Sequence, residues 1–461
     1  MISQDTYRNL RKNTLIIAVA NIGSKAIAFI LAPLYSYYLT TTQYGTMDLI
    51  TTTINLIVPL YCLDVYEATF RFSSDYGYDP GKVLTSSLAV CIPSVFISII
   101  SIIACLFMGK KMFYFAYTMF FILLGSFVNI FSQFARGQNK MGVFAATGVI
   151  HSIGLLTANV FFLICLRLEL KGWLISCIIA QFILIVYLIF RCNVIKLVRW
   201  NNIDKDYIRI FIKFCAPLIP TTTMWWVMNA SDRYMITFFL SAGFNGIYSV
   251  ANKLPSILSV FENVFYQAWQ TSAIATMHNS ERDDIYSNVF STYLKFLTIG
   301  VAIMLVIGRP LIIYLFAVAY SEAWICLAPL ILSVLVHALS GNIGSLYSVF
   351  KSTRGALYST IAGALTNIVL NLFFIPHFGI LGAGFTTLIG YIVTLIYRWI
   401  DVKKFVCLKI SIKDACICTG VILVQFFLYY INDPVSYVIR ILVMVGVLFV
   451  NRSMLIKLIR R

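Results

Sequence analysis

Apolar runs of roughly 20 residues follow one another along the chain, and polar residues gather in the short joints between them. A bilayer's hydrocarbon core is about 30 Å thick, and a helix needs roughly 20 mostly apolar residues to cross it. By that measure the first six membrane helices are expected at 13–39, 46–69, 84–107, 112–134, 142–165 and 172–190. The next eight are expected at 209–231, 247–270, 288–307, 323–348, 356–375, 380–398, 414–431 and 435–450. A shorter apolar piece, Leu311 to Val318, is too brief to cross alone and reads as an extension of the ninth helix. The pattern predicts an all-α polytopic membrane protein of about fourteen helices.

Composition and charge sharpen this reading. Of 461 residues, 60% are hydrophobic and only 11% charged, where a soluble chain carries about 25% charged residues. The net charge of +17 would suggest nucleic acid in a soluble protein, but here the basic residues sit in the joints, so no nucleic-acid partner is expected. With both termini cytoplasmic, 25 of the 35 Lys and Arg fall on the cytoplasmic side and 7 on the outer side, leaving Lys25, Lys253 and Lys295 within spans. That asymmetry satisfies the positive-inside rule and favours an even number of crossings. The run after Arg8, Arg11 and Lys12 is too long for a signal-peptide core and reads as the first permanent helix.

Several chemistries find no support. The eleven cysteines lie mostly in apolar spans, where a thiol behaves as a small hydrophobe, and Cys416 and Cys418 lack metal-site spacing. The four histidines are scattered singly. With short outer joints and no Walker motif, neither a membrane enzyme nor a self-contained ATP-driven pump is expected, and no cofactor is implied beyond a coupling H+ or Na+.

A weak internal repeat divides the chain. Leu39 and Gly45 recur as Leu240 and Gly246, 201 positions on. Lys140-Met-Gly142 resembles Thr353-Arg-Gly355, and Lys171-Gly-Trp173 resembles Ala383-Gly-Phe385. Two pseudo-symmetric six-helix lobes follow, a known transporter plan. They are an N-lobe at 1–190 and a C-lobe at 214–398, joined by a basic amphipathic cytoplasmic linker at 191–213. An accessory helix pair with a basic tail occupies 399–461.

Ionisable residues within spans are functional candidates because charge in hydrocarbon is costly. Lys25 lies about 18 Å into the first helix and Lys253 about 10 Å below the outer rim, at 1.5 Å per residue. Asp64, Glu67 and Arg71 share one face of the second helix, where Glu67 and Arg71 could also form an intrahelical pair. Asp232 and Arg233 are expected at the outer end of the seventh helix, and Glu262 in the middle of the eighth. Basic residues from both lobes would suit a pyrophosphate-bearing substrate. Pro33, Pro59, Pro93, Pro217, Pro220, Pro255 and Pro329 each favour a kink.

The chain also carries a family pattern. Pro217-Leu-Ile-Pro220, Trp225-Trp226, Asn229-Ala-Ser-Asp232-Arg233-Tyr234, Gly246-Ile-Tyr248, Ala251-Asn-Lys253-Leu-Pro255 and Gln267-Ala-Trp269-Gln270 form its centre. Asn13-Thr14, Gly23-Ser24-Lys25, Pro33-Leu-Tyr35, Tyr66-Glu67, Phe70-Arg71-Phe72, Asn367, Asn371 and Phe378-Gly379-Ile-Leu-Gly382-Ala383 extend it. Together they resemble the polysaccharide-transporter branch of the multidrug/oligosaccharidyl-lipid/polysaccharide exporter superfamily, over about 400 residues.

The resemblance implies a Wzx-type flippase. Its substrate would be an undecaprenyl-pyrophosphate-linked O-antigen or capsular repeat unit, moved from the cytoplasmic to the periplasmic leaflet. A glycan polymerase or chain-length regulator would be a natural partner. Lys25, Lys253, Arg71, Asp232 and Arg233 would contact substrate, while Asp64, Glu67 and Glu262 would couple or gate. A multidrug/cation antiporter of the same fold is the first alternative, and a glycan polymerase or lipid-linked glycosyltransferase the second.

Overall fold

The computed structural model describes residues 23–75, 77–107, 113–277, 279–350, 352–409 and 411–452. Among these there is no strand. By internal packing the chain forms two compact units: Met1–Leu39 with Thr46–Trp226, and Thr40–Gly45 with Val227–Arg461.

The first unit contains α1 (23–38) and most of α2 (Thr41–Tyr61). It continues with α3 (Val65–Ser73), α4 (Pro80–Phe107), α5 (Phe113–Gly137) and α6 (Met141–Asn159), the last running on as a π-helical turn to Cys165. It closes with α7 (Glu169–Arg191), α8 (Val194–Leu197), α9 (Lys205–Cys215) and the start of α10 (Leu218–Phe239). The expected second span is broken, with α2 and α3 meeting at a 60° bend. Pro59 has no N–H to continue the helix, and Leu63 and Asp64 both take positive φ, 50° and 53°. Such a conformation costs a non-glycine residue roughly 1–3 kcal/mol, so the surroundings must hold it. The Asp64 carboxylate accepts hydrogen bonds from Tyr66 Oη at 2.7 Å and Thr222 Oγ1 at 3.1 Å, and its backbone oxygen accepts one from Cys215 Sγ. Around the bend, Val65, Ala68, Leu84, Phe131, Phe134, Leu188 and Phe211 pack into one buried core.

α9 begins at Asp204, whose carboxylate accepts from the Asp206 amide at 3.0 Å and pairs with Lys82 at 3.1 Å. Lys82, and then the Asp206 amide, hold the Asp204 carboxyl below the usual carboxylate range. A folded value below the unfolded one means the pair stabilises fully above the unfolded pKa, about 3.9. That stabilisation is lost as pH falls through the lower, folded value. Asn caps helices as well as Asp, so Asp204→Asn removes the charge alone. The melting temperature of wild type should exceed that of Asp204→Asn by a constant amount from about pH 5 upward, the gap closing on acidification. A gap unchanged at the lowest pH would show that the charge is irrelevant.

The second unit holds the first turn of α2, the remainder of α10, and α11 (Ala242–Lys253), α12 (Pro255–Ala275) and α13 (Arg282–Leu315). α14 (Trp324–Val349), α15 (Thr353–Val402), α16 (Ile412–Tyr430) and α17 (Pro434–Val450) complete it. α14 is its centre, with 72% of its most apolar stretch buried, against 17% for α16. The helices expected at 356–375 and 380–398 are the two arms of α15. They reverse at Gly379, whose φ of 61° and ψ of −143° favour a residue without Cβ. Gly363 of one arm packs against Gly390 and Thr394 of the other. Arg398 donates back to Ser359 at 3.0 Å and Thr360 at 3.2 Å.

The 201-residue repeat has a physical counterpart inside this unit. A Cβ on Gly45 would collide with the carbonyl oxygen of Ala242, and one on Gly246 with that of Thr41. Each contact maps onto the other under the same offset, so the two glycine turns face each other across a local pseudo-two-fold axis. Thr40 and Gln43 close the first turn of α2 with reciprocal backbone-to-side-chain bonds of 3.0 and 3.2 Å, a capping box.

Eight helices among the described residues are long and apolar enough to cross a bilayer, or nine if the bent α2–α3 pair is one span. The difference from fourteen has local causes. The first expected span begins at residue 13, outside the described residues. α10 and α12, which carry the seventh and eighth, have 22 and 21 residues but are too polar to count. α17 has only 17 residues, and α15 holds two expected spans in one element. Pro217 falls between α9 and α10, and Pro255 opens α12. The piece from Leu311 does extend the ninth helix, as α13 runs to Leu315.

Candidate functional site

Polar groups in the second unit converge on Asp232. The expected seventh span would end at residue 231 and leave Asp232 at the outer rim. Instead α10 continues to Phe239, and Asp232 is only 4% exposed, well inside the helix. Its Oδ2 accepts hydrogen bonds from Tyr248 Oη of α11 at 3.0 Å and Thr387 Oγ1 of α15 at 2.5 Å. Its Oδ1 accepts from Asn371 Nδ2, on the other arm of α15, at 2.7 Å. Three helical segments are thus tied to one carboxylate.

The network extends outward from these contacts. Asn371 also donates to Asn367 Oδ1 at 3.1 Å, and its own Oδ1 accepts from Thr386. Ser231 donates to Asn367 Oδ1 at 3.1 Å. The Nδ2 of Asn367 is buried with no hydrogen-bond partner among the described residues. Every donor to Asp232 named here is electrically neutral. Arg233, the next residue, acts electrostatically on Tyr248 and Tyr391. Asp232 therefore belongs to a buried polar centre and not to an outer rim, with the half-buried Arg233 beside it.

A second pair lies in the same unit. Glu262 of α12 is 8% exposed, and its Oε1 is 2.7 Å from His337 Nδ1 of α14. Tyr391 packs edge-on to the His337 ring with centroids 4.7 Å apart. Both Asp232 and Glu262 act electrostatically on Tyr391, so both carboxylates are within electrostatic reach of that tyrosine. The sequence left His337 without a partner because Glu262 is 75 positions away. Lys253 is half-buried at the end of α11 and is not one of the three donors to Asp232 named above.

The other candidates belong to the first unit. Lys25 is exposed on α1. Asp64 sits at the α2–α3 break and not on a continuous helical face with Glu67 and Arg71. Arg71 pairs with Asp75, just past the end of α3, at 3.7 Å, with both side chains substantially exposed, so its ion-pair partner is not the expected Glu67. Glu67 is half-buried and under the influence of Arg136 from α5. Trp226 donates its indole N–H to the Thr52 carbonyl at 2.7 Å. The side chains of Trp225, Asn229 and Gln267, like Asn13 and Thr14, lie outside the described residues.

Residues 10–270 match the family described as "Polysaccharide biosynthesis protein". The chain belongs to that family. The matched segment of this polysaccharide biosynthesis protein includes Asp232, Tyr248 and Glu262, whereas both arms of α15 lie beyond it. No curated protein sequence matches the chain. Among solved structures it is similar to lipid II flippase MurJ in an inward closed conformation, with 16% identity and a TM-score of 0.70, covering 97% of this chain and 100% of that one. An inward-facing multidrug resistance MATE transporter of the MOP superfamily has 10% identity and a TM-score of 0.67, covering 84% and 95%. The Vibrio cholerae MATE transporter VcmN in its bent form has 13% identity and a TM-score of 0.55, covering 86% and 96%. At these identities the likeness is one of fold.

Thr386, Thr387, Tyr248 and Tyr391 were missed as site residues in the sequence. Asn367 and Asn371 offered the one usable signal, two amides four residues apart on one face of an apolar helix.

Proposed function

We propose that this polysaccharide biosynthesis protein is a lipid-linked oligosaccharide flippase. It moves undecaprenyl-pyrophosphate-linked O-antigen or capsular repeat units from the cytoplasmic to the periplasmic leaflet by alternating access, coupled to an ion gradient. The observation that carries this reading is the family match over 10–270, on a fold similar to that of a lipid II flippase. Lys25 of the first unit and Lys253 of the second are each taken as a contact for the pyrophosphate, because ammonium–phosphate contacts are strong where water is scarce. Arg71 serves as an entry contact on its exposed side chain. Glycan assembly by a polymerase follows on the far side of the membrane.

The coupling ion, H+ or Na+, is assigned to the Asp232 hub. The three hydrogen-bond donors to Asp232 are neutral, so the positive charge beside it is that of Arg233, which also acts on Tyr248, and a charge in low dielectric is costly. A proton or a small cation relieves that cost. Hydroxyl and amide oxygens of Thr387, Tyr248 and the asparagines are suitable hard ligands, and either Asn amide presents oxygen or nitrogen by turning over. Asp64, Glu67 and Glu262 are the remaining gating groups.

The substrate assignment is tested in flippase-deficient cells. Lys25→Ala and Lys253→Ala should each abolish surface glycan at equal protein level, and unchanged glycan rejects that residue's role. The MATE-like antiporter reading would show itself as drug resistance on expression without glycan rescue. A polymerase mutant would still display a single repeat unit outside, whereas a flippase mutant displays none.

A further inference from the structure

The segment between α7 and α10 has two contrasting faces. One is anchored in the first unit. Phe211 and Cys215 of α9 are buried in its core, Tyr207 packs edge-on to Tyr78, and Asp204 pairs with Lys82. The Asp204 amide also donates to Ser86 Oγ at 3.2 Å, and Thr85 donates to the Leu197 carbonyl at 3.5 Å. These contacts hold the segment against the first turns of α4. Its chain leaves α7 at Arg191 and re-enters helix at Val194. Both α4 and α7 are membrane-crossing by length and apolarity, so the segment is pinned at the level where two spans end.

The side chains left exposed along the rest of the segment are of two contrasting kinds. Trp200 is 83% exposed and Ile195 74%, with Ile212 and Phe214 also exposed. Among them stand Lys196, Arg199, Arg209 and Lys213, all exposed. Of the nearby acids, Asp204 is occupied by Lys82, leaving Asp206 against this basic set. A water-facing linker has no use for an exposed tryptophan. A protein interface core is depleted in charge and particularly in lysine. The bilayer boundary accommodates both, since tryptophan favours the headgroup level and Lys and Arg extend apolar stems beside acyl chains while reaching phosphates.

We propose that this face is a binding surface for anionic phospholipid headgroups, with Trp200 and Ile195 inserted at the acyl boundary and Lys196, Arg199, Arg209 and Lys213 on the phosphates. The surface is independent of what the protein transports. Its partner is selected by charge, because juxtamembrane basic residues are each attracted to an anionic leaflet and the attraction fades within a Debye length.

The test uses the full chain in nanodiscs containing brominated phosphatidylglycerol or brominated phosphatidylcholine at equal mole fraction. The Trp200 contribution is the difference in fluorescence quenching between wild type and Trp200→Phe. Quenching of that component should be at least about two-fold stronger with the anionic lipid. The preference should vanish in the Lys196→Gln/Arg199→Gln/Arg209→Gln/Lys213→Gln variant. It should also collapse for wild type in about 1 M salt, where the Debye length is about 3 Å, a readout that does not depend on the variant folding. Equal quenching by the two lipids, no Trp200 component with either (as if another protein covered it), or a preference indifferent to salt would overturn the proposal.

Discussion

Asp232→Asn is expected to leave the protein folded and to abolish glycan export. Asn preserves shape and can still accept from Thr387 or Tyr248, but it carries no charge for a coupling ion to neutralise. Asp232→Ala is expected to do more. It removes the acceptor of Tyr248 and one of the two acceptors of Asn371 and of Thr387 in a site that is only 4% exposed. Hydrogen bonds to a charged group contribute about 1.5–3 kcal/mol each, and members of a network are not additive. A destabilisation of about 3 kcal/mol or more is therefore expected for the alanine variant. Thermal unfolding in detergent together with surface glycan separates the two roles. Wild-type export by Asp232→Asn would remove the hub from the coupling mechanism.

The second large effect is expected at the glycine pair. Gly45→Ala and Gly246→Ala each drive a Cβ into a backbone carbonyl, of Ala242 and Thr41 respectively. Backbone cannot step aside as a flexible side chain can, so each cost should reach or exceed the top of the usual overpacking range, about 1–3 kcal/mol. The contacts are related by the local two-fold, so the two single variants should lose similar stability. The double variant should cost less than their sum, because one separation of the turns relieves both clashes. Strictly additive losses, or one silent substitution, would contradict the reciprocal geometry.

Much of the helical plan was legible in apolar run length alone, since burial and bilayer thickness both act on that pattern. Breaks were harder to read. Pro59 was visible as a kink, yet the left-handed Leu63–Asp64 step depends on Tyr66 and on Thr222, which lies more than 150 positions away. The seventh span was placed too early because Ile208, Ile210 and Ile212 of amphipathic α9 look like membrane residues in a linear window. That shift put Asp232 at a helix end, when α10 in fact carries it inside.

The polar centres were legible only in part. Asp232, Arg233 and Glu262 stood out because charge in an apolar run is expensive. Their neutral partners did not, since threonine, asparagine and tyrosine occur throughout membrane helices at little cost. The Asp232 hub needs α10, α11 and both arms of α15, and the Glu262–His337 pair needs α12 and α14. No spacing along one helix encodes such meetings. The Gly45–Gly246 correspondence was the exception, because a repeated sequence and a two-fold contact express the same symmetry.

The most direct measurement of the central claim is translocation by purified protein in proteoliposomes. Undecaprenyl-pyrophosphate-linked oligosaccharide is placed in one leaflet, and its arrival in the other is followed by accessibility to an added glycosidase under an imposed H+ or Na+ gradient. The account predicts gradient-dependent transfer that is lost in Asp232→Asn. Absence of glycolipid transfer by folded wild-type protein, with organic cations moving under the same gradient instead, would contradict it.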